Sequence, residues 1–123
     1  MATRHGLEVF DEISMTSSDE WITPTSTNYG FYLQGIWTGL VGEAKYKIQA
    51  SNNGMDWDDY PLCLPIEGVT VLEREIIGTT GTTAIKMNTW FPDYLKVVYD
   101  SNTATAGTLT FLLTMINLQD VSG

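Results

Sequence analysis

The stretch GEAKYKIQAS, residues 42–51, alternates strictly: Ala44, Tyr46, Ile48 and Ala50 fall on one side, and Lys45, Lys47 and Gln49 on the other. Successive side chains of a β-strand point to opposite faces, so this is a strand with one face in a core and one in water. Immediately before it, YGFYLQGIWT (29–38) sets Phe31, Leu33 and Trp37 against Tyr32, Gln34 and Ile36. The link GLVG (39–42) has hairpin length, and the two strands are expected to pair antiparallel.

The same period recurs along the chain. DYLKVVYDS (93–101) aligns Leu95, Val97 and Tyr99, and GTLTFLLTMI (107–116) aligns Leu109, Phe111, Leu113 and Met115, with SNTATAG read as a hairpin loop between them. Weaker strands are read in EISMT (12–16), EWIT (20–23) and TTAIKM (82–87). GVTVLEREII (68–77) reads as strand, with a short helix as the alternative because Glu and Arg are good helix formers. The seventeen threonines suit pleated surfaces, where a β-branched side chain loses little freedom. The expected fold is all-β: an antiparallel two-layer β-sandwich, jelly-roll-like, of about eight short strands over residues 10–123, with residues 1–9 as an N-terminal arm.

With 43% hydrophobic residues, including four Trp, six Tyr and four Phe, 123 residues can fill one core without disulfides. The single cysteine, Cys63, fits a small buried residue in a chain made in a reducing cytoplasm. Six basic against fifteen acidic residues give a net charge of −9. Nucleic acid is a poor partner for such a chain, since affinity for phosphates comes from basic groups that release counterions. No stretch has the length and apolarity of a membrane span, so no membrane partner is expected.

Catalytic constellations are missing. The only histidine, His5, sits in the expected arm, where it cannot be oriented as a general base. One His and one Cys cannot supply a zinc site, and no Gly-rich phosphate loop exists, so no cofactor is expected. Asp56, Asp58 and Asp59 follow SNNG (51–54) and resemble a loose calcium loop, but the closing bidentate Glu is absent. A solvated turn with Asn53-Gly54 at positive φ explains them more simply. Trp37 and Trp57 are expected in the core, whereas Trp21, Tyr32 and Trp90 are candidates for a ligand or partner surface.

The segment NYGFYLQGIWTGLVGEAKYKIQASNNGMDWDDYP (28–61) resembles small bacteriophage virion proteins, in which a Y-x-x-Q-x-x-W-T-G strand leads to Q-x-S-N-D-G-x-x-W-x-D. Gln34, Trp37, Thr38, Gly39, Gly42, Gln49, Ser51, Asn52, Gly54, Trp57 and Asp59 match, and Asn53 stands where Asp is usual. YLKVVYDSNTATAGTLTFLLT (94–114) is similar to the hairpin closing the same domains, with Lys96 where Arg is frequent. The resemblance implies a non-enzymatic virion protein, assembled in the host cytoplasm and bound to the major capsid or other virion proteins. A decoration or cement protein leads, and a carbohydrate- or receptor-binding module of a tail or fibre is the alternative. In the turn, Asn52 and Gly54 are expected to make the reversal and Trp57 to fold back onto the preceding strand. Strands near both ends would leave open sheet edges, so a homo-oligomer, with a trimer favoured, is expected.

Overall fold

The computed structural model describes residues 3–24, 29–64, 69–87 and 93–117. These form eleven strands: β1 (Thr3–Ser14), β2 (Asp19–Pro24), β3 (Tyr29–Val41), β4 (Ala44–Ser51), β5 (Asp58–Tyr60), β6 (Leu62–Leu64), β7 (Val69–Val71), β8 (Arg74–Ile76), β9 (Gly81–Met87), β10 (Tyr94–Asp100) and β11 (Ala106–Asn117). The region read as strand or helix, 68–77, is two short strands, β7 and β8. A four-stranded sheet runs β1-β11-β3-β9, and a five-stranded sheet runs β2-β10-β4-β5 with β8 also on β4; β6 and β7 form a separate ribbon. Every pairing is antiparallel. This is a β-sandwich in which the major strands alternate between layers, the wiring of a jelly roll.

That alternation corrects two expected hairpins. β3 pairs with β11 and β9, whereas β4 pairs with β10, β5 and β8, so Gly42 and Glu43 carry the chain from one sheet to the other. Residues 101–105 cross back between β10 and β11. The two corners lie side by side: Thr103 N donates to Glu43 O (3.0 Å), Thr105 N to Val41 O (2.9 Å) and Glu43 N to Thr103 Oγ1 (2.9 Å). Gly42, at φ 94°, is required there, because a Cβ would strike the Thr103 carbonyl. Either linkage turns the apolar side of both strands toward the core, so alternation alone does not separate a hairpin from a crossing.

The expected arm is also corrected. Thr3–Ser14 is one strand, and residues 3–8 pair in register with 112–117 of β11. Val9 and Phe10 are buried, and the ladder satisfies backbone groups that β11 would otherwise present at an open edge.

Between the layers, the four-stranded sheet contributes Phe31, Leu33, Trp37, Ile85, Leu109, Phe111 and Leu113, and the five-stranded sheet contributes Ala44, Tyr46, Ile48, Ile76, Leu95, Val97 and Tyr99. The two buried tyrosines fasten one layer to the other. Tyr46 Oη meets Thr83 Oγ1 at 2.8 Å, and Tyr99 Oη donates to Met15 O at 2.7 Å. Trp37, buried as expected of a core residue, donates from Nε1 to Gly78 O (2.8 Å).

Candidate interaction surfaces

The turn after β4 is organised by side chains that bond their own backbone. Ser51 Oγ accepts from Asn53 N and Gly54 N and donates to Asn53 Oδ1. Asn53 Oδ1 also accepts from Met55 N and Asp56 N, and Asn53 Nδ2 donates to Asp56 Oδ2 (2.9 Å). Gly54 supplies the positive φ, 75°. Asn52, expected to make the reversal, is exposed and bonds no described side chain; Ser51 and Asn53 do that work, and the Ser-x-Asn spacing was the signal for it.

Asp56, Asp58 and Asp59 line an open cleft of about 330 Å³ beside this turn. Asp56 is held by Asn53. Asp59 Oδ1 accepts from Gln49 Nε2 (2.9 Å) and pairs with Lys47 Nζ (3.2 Å), and the Gln49 bond, then Lys47, hold its carboxyl below the usual carboxylate range. Among the described residues, no group of three or more His, Cys, Asp or Glu is disposed to hold a metal ion.

Trp57 is not in the core. It is half-buried over the outer face of the five-stranded sheet, with Lys96 Nζ 4.3 Å from its ring centroid. The exposed turn leaves its indole no route between the layers, and an ammonium against the π face is a favourable alternative. It does fold back, and its ring stands over Lys96 of β10.

The outer faces of the two sheets differ in chemistry. On the five-stranded sheet every described lysine is ion-paired: Lys45 with Glu73 (3.2 Å) and Asp100 (3.9 Å), Lys47 with Asp59, and Lys96 with Glu20 (3.8 Å). On the four-stranded sheet, the outward positions with described side chains are Tyr32, Gln34, Ile36 and Thr38 of β3, Thr108, Thr110, Leu112 and Thr114 of β11, and Thr82 and Ala84 of β9. None is charged. Tyr32, Ile36 and Leu112 are 42, 41 and 39% exposed. They are close neighbours, since Thr114 pairs with Tyr32, Leu112 with Gln34 and Thr110 with Ile36. Acidic Asp11 and Glu12 flank this face on the edge strand β1.

The three residues proposed for a ligand surface do not meet on one face. Tyr32 lies on the outer face of the four-stranded sheet, Trp21 leans from β2 against the core, and Trp90 lies outside the described residues. So do the side chains of His5 and Cys63. Sequence reading missed the grouping of Tyr32, Ile36 and Leu112, because it arises only when β3 and β11 lie side by side.

No family profile and no curated protein matches the sequence. Among solved structures, the fold is similar to the SPBc2 prophage-derived protein YomS, with a TM-score of 0.58 at 11% identity over 94% of this chain and 95% of that one. Lower-scoring likenesses include a CBM4 structure (TM-score 0.47, 10% identity, 77% of this chain and 56% of that one). Another is the VP2 subviral particle of infectious bursal disease virus (TM-score 0.45, 8% identity, 94% and 32%). At these identities what is shared is the fold.

Proposed function

We propose that this chain is a non-enzymatic structural protein of a bacteriophage particle, acting as a homo-oligomeric decoration protein that binds the major capsid or a neighbouring virion protein. The observation that carries the reading is the end-to-end likeness of the jelly roll to a prophage-derived protein of nearly the same extent. The Q-x-x-W-T-G and S-N-x-G-x-x-W elements agree with it. Exposed Tyr32, Ile36 and Leu112, close together on one sheet face, suit a protein whose work is contact with other proteins. The ion pairing of Lys45, Lys47 and Lys96 argues against a phosphate backbone as partner on the five-stranded sheet. The fibre or carbohydrate-binding alternative needs an exposed row of aromatics, and Trp21 and Tyr32 lie on different layers.

Antibody raised against the purified chain, applied to gradient-banded particles and viewed by electron microscopy, tests the reading. Label over the head is expected. Label confined to the tail tip, with oligosaccharide binding by the purified chain, would establish the alternative, and particles without label would overturn both.

A further inference from the structure

We propose that Asn53 and Gly54 form a self-modification site that the turn after β4 holds closed: once the turn opens, the Gly54 backbone nitrogen attacks the Asn53 side-chain carbonyl carbon, and Asn53 becomes aspartate or isoaspartate. This is the one Asn-Gly pair in the chain. Glycine carries no Cβ, so nothing on its own residue shields its backbone nitrogen from the neighbouring side-chain carbonyl. The step balances within the chain. The Gly54 nitrogen gives up its proton and bonds to Asn53 Cγ, the bond from Cγ to Nδ2 breaks, and ammonia leaves with that proton. Water then opens the resulting five-membered imide at one carbonyl or the other. One opening leaves aspartate at position 53, and the other routes the main chain through the side-chain carbon as isoaspartate.

In the folded chain both reacting groups are tied down. Gly54 N donates to Ser51 Oγ at 2.9 Å, so the proton that must leave is engaged. The Tyr94 ring stands 3.6 Å from where a Cβ of Gly54 would be, and it covers that side of the residue against the base that takes the proton. Asn53 Oδ1 accepts from Ser51 Oγ (2.9 Å), Met55 N (2.8 Å) and Asp56 N (2.9 Å), while Nδ2 donates to Asp56 Oδ2 (2.9 Å). Ring closure has to turn the carboxamide plane toward Gly54 N, and a plane bonded at both ends does not turn without losing those bonds. Asn52 is exposed and bonds no described side chain, but the residue after it bears a side chain that crowds the attacking nitrogen.

The product changes the turn. Aspartate at position 53 keeps an acceptor for Ser51, Met55 and Asp56 but has no amide donor, so a carboxylate comes to stand against Asp56 Oδ2 where a 2.9 Å bond had been. Like charges that close repel, and the chain gains one negative charge beyond −9. Isoaspartate adds one carbon to the main chain between Ser51 and Trp57, and Trp57 is the residue whose ring stands over Lys96. Exposed turns open far more often than core strands, so the modification accumulates with each opening and does not reverse.

The purified full chain, incubated at mildly alkaline pH either folded in buffer or unfolded in urea and then digested in acid, gives the test. Mass spectrometry follows conversion of the Asn53 amide to acid, and chromatography separates isoaspartate from aspartate. Conversion in urea, with a rate at least about tenfold lower in the folded chain, is expected, since several hydrogen bonds have to open before attack. Ser51→Ala removes the acceptor of Gly54 N, and Asp56→Ala, at an exposed position, removes that of Asn53 Nδ2. Each should speed the folded reaction at least about threefold, the worth of one net hydrogen bond, and leave the rate in urea unchanged. Circular dichroism checks that each variant folds, and Asp56→Ala carries the comparison if Ser51→Ala does not. Equal rates in buffer and urea overturn the proposal, because the turn then holds nothing closed. So does the absence of conversion at Asn53 in urea, and so do folded rates that neither variant raises. Conversion to aspartate without isoaspartate shows hydrolysis by water alone and overturns the attack by Gly54.

Discussion

The Phe111 ring lies directly over Gly35, in the space a Cβ at that position would occupy. The two residues are register partners across β3 and β11, and Thr83 of β9 closes the other side of Gly35, its Cγ2 2.9 Å from where a Cβ would stand. The ring then meets Phe10 (centroids 5.8 Å apart) and, edge-on, Tyr46 of the opposite layer (4.9 Å). One missing side chain therefore lets a single aromatic join β1, β3 and the facing sheet.

Gly35→Ala forces that ring out of its place, against the Phe10 and Tyr46 rings that already pack on it. Destabilisation of about 3 kcal/mol or more is expected, at the upper end of overpacking costs. Urea denaturation measures it, and a loss under about 1 kcal/mol would show that the ring can slide aside.

The two tryptophans of the central motif should behave differently. Trp37→Ala removes a buried ring and the bond to Gly78 O, with an expected cost of about 3–5 kcal/mol. Trp57→Ala removes a half-exposed cation–π contact with an expected cost near 1 kcal/mol. Comparison of the two midpoints at constant m-value is the check.

Burial, reinforced by the Asp100 carboxylate, holds the Tyr99 phenol up to about 12, against 10.0 for a free tyrosine. Burial pushes the Tyr46 phenol up as well. Between pH 10 and 12 the native chain keeps a proton that the unfolded chain has lost, so stability is intact below pH 10 and falls as pH rises through that window. The melting temperature should therefore drop across it. Tyr99→Phe should flatten part of the fall while costing about 1–2 kcal/mol at neutral pH, because Met15 O loses its donor.

Deleting residues 2–9 should lower stability sharply instead of releasing a dispensable arm, since it strips the ladder from one side of β11 and removes buried Val9. Loss of the cooperative thermal transition is the expected result, and an unchanged melting temperature would contradict the placement of β1 in the sheet.

Alternation of period two, legible from Ala44 to Ala50, from Leu95 to Tyr99 and from Leu109 to Leu113, determined by itself that the chain is all-β, which residues face the core and that Trp37 is inside. Those properties depend on neighbours two residues apart. Turn chemistry was legible in part: Gly54 has the expected positive φ, whereas Asn53 does not and acts with Ser51 through side-chain bonds that the Ser-x-Asn spacing signals. Only the tertiary structure decided that β3 and β4 belong to different sheets, because a hairpin and a crossing give the same buried side. The long registers of β3 on β11 and of β4 on β10 settled it. Trp57 followed the same rule. Its size suggested the interior, but whether a ring after a turn falls inside or onto Lys96 is set by strands β4 and β10, separated by more than forty residues of chain. The exposed cluster has the same origin, since Leu112 joins Tyr32 and Ile36 only when pairing brings together strands that sequence alone leaves apart.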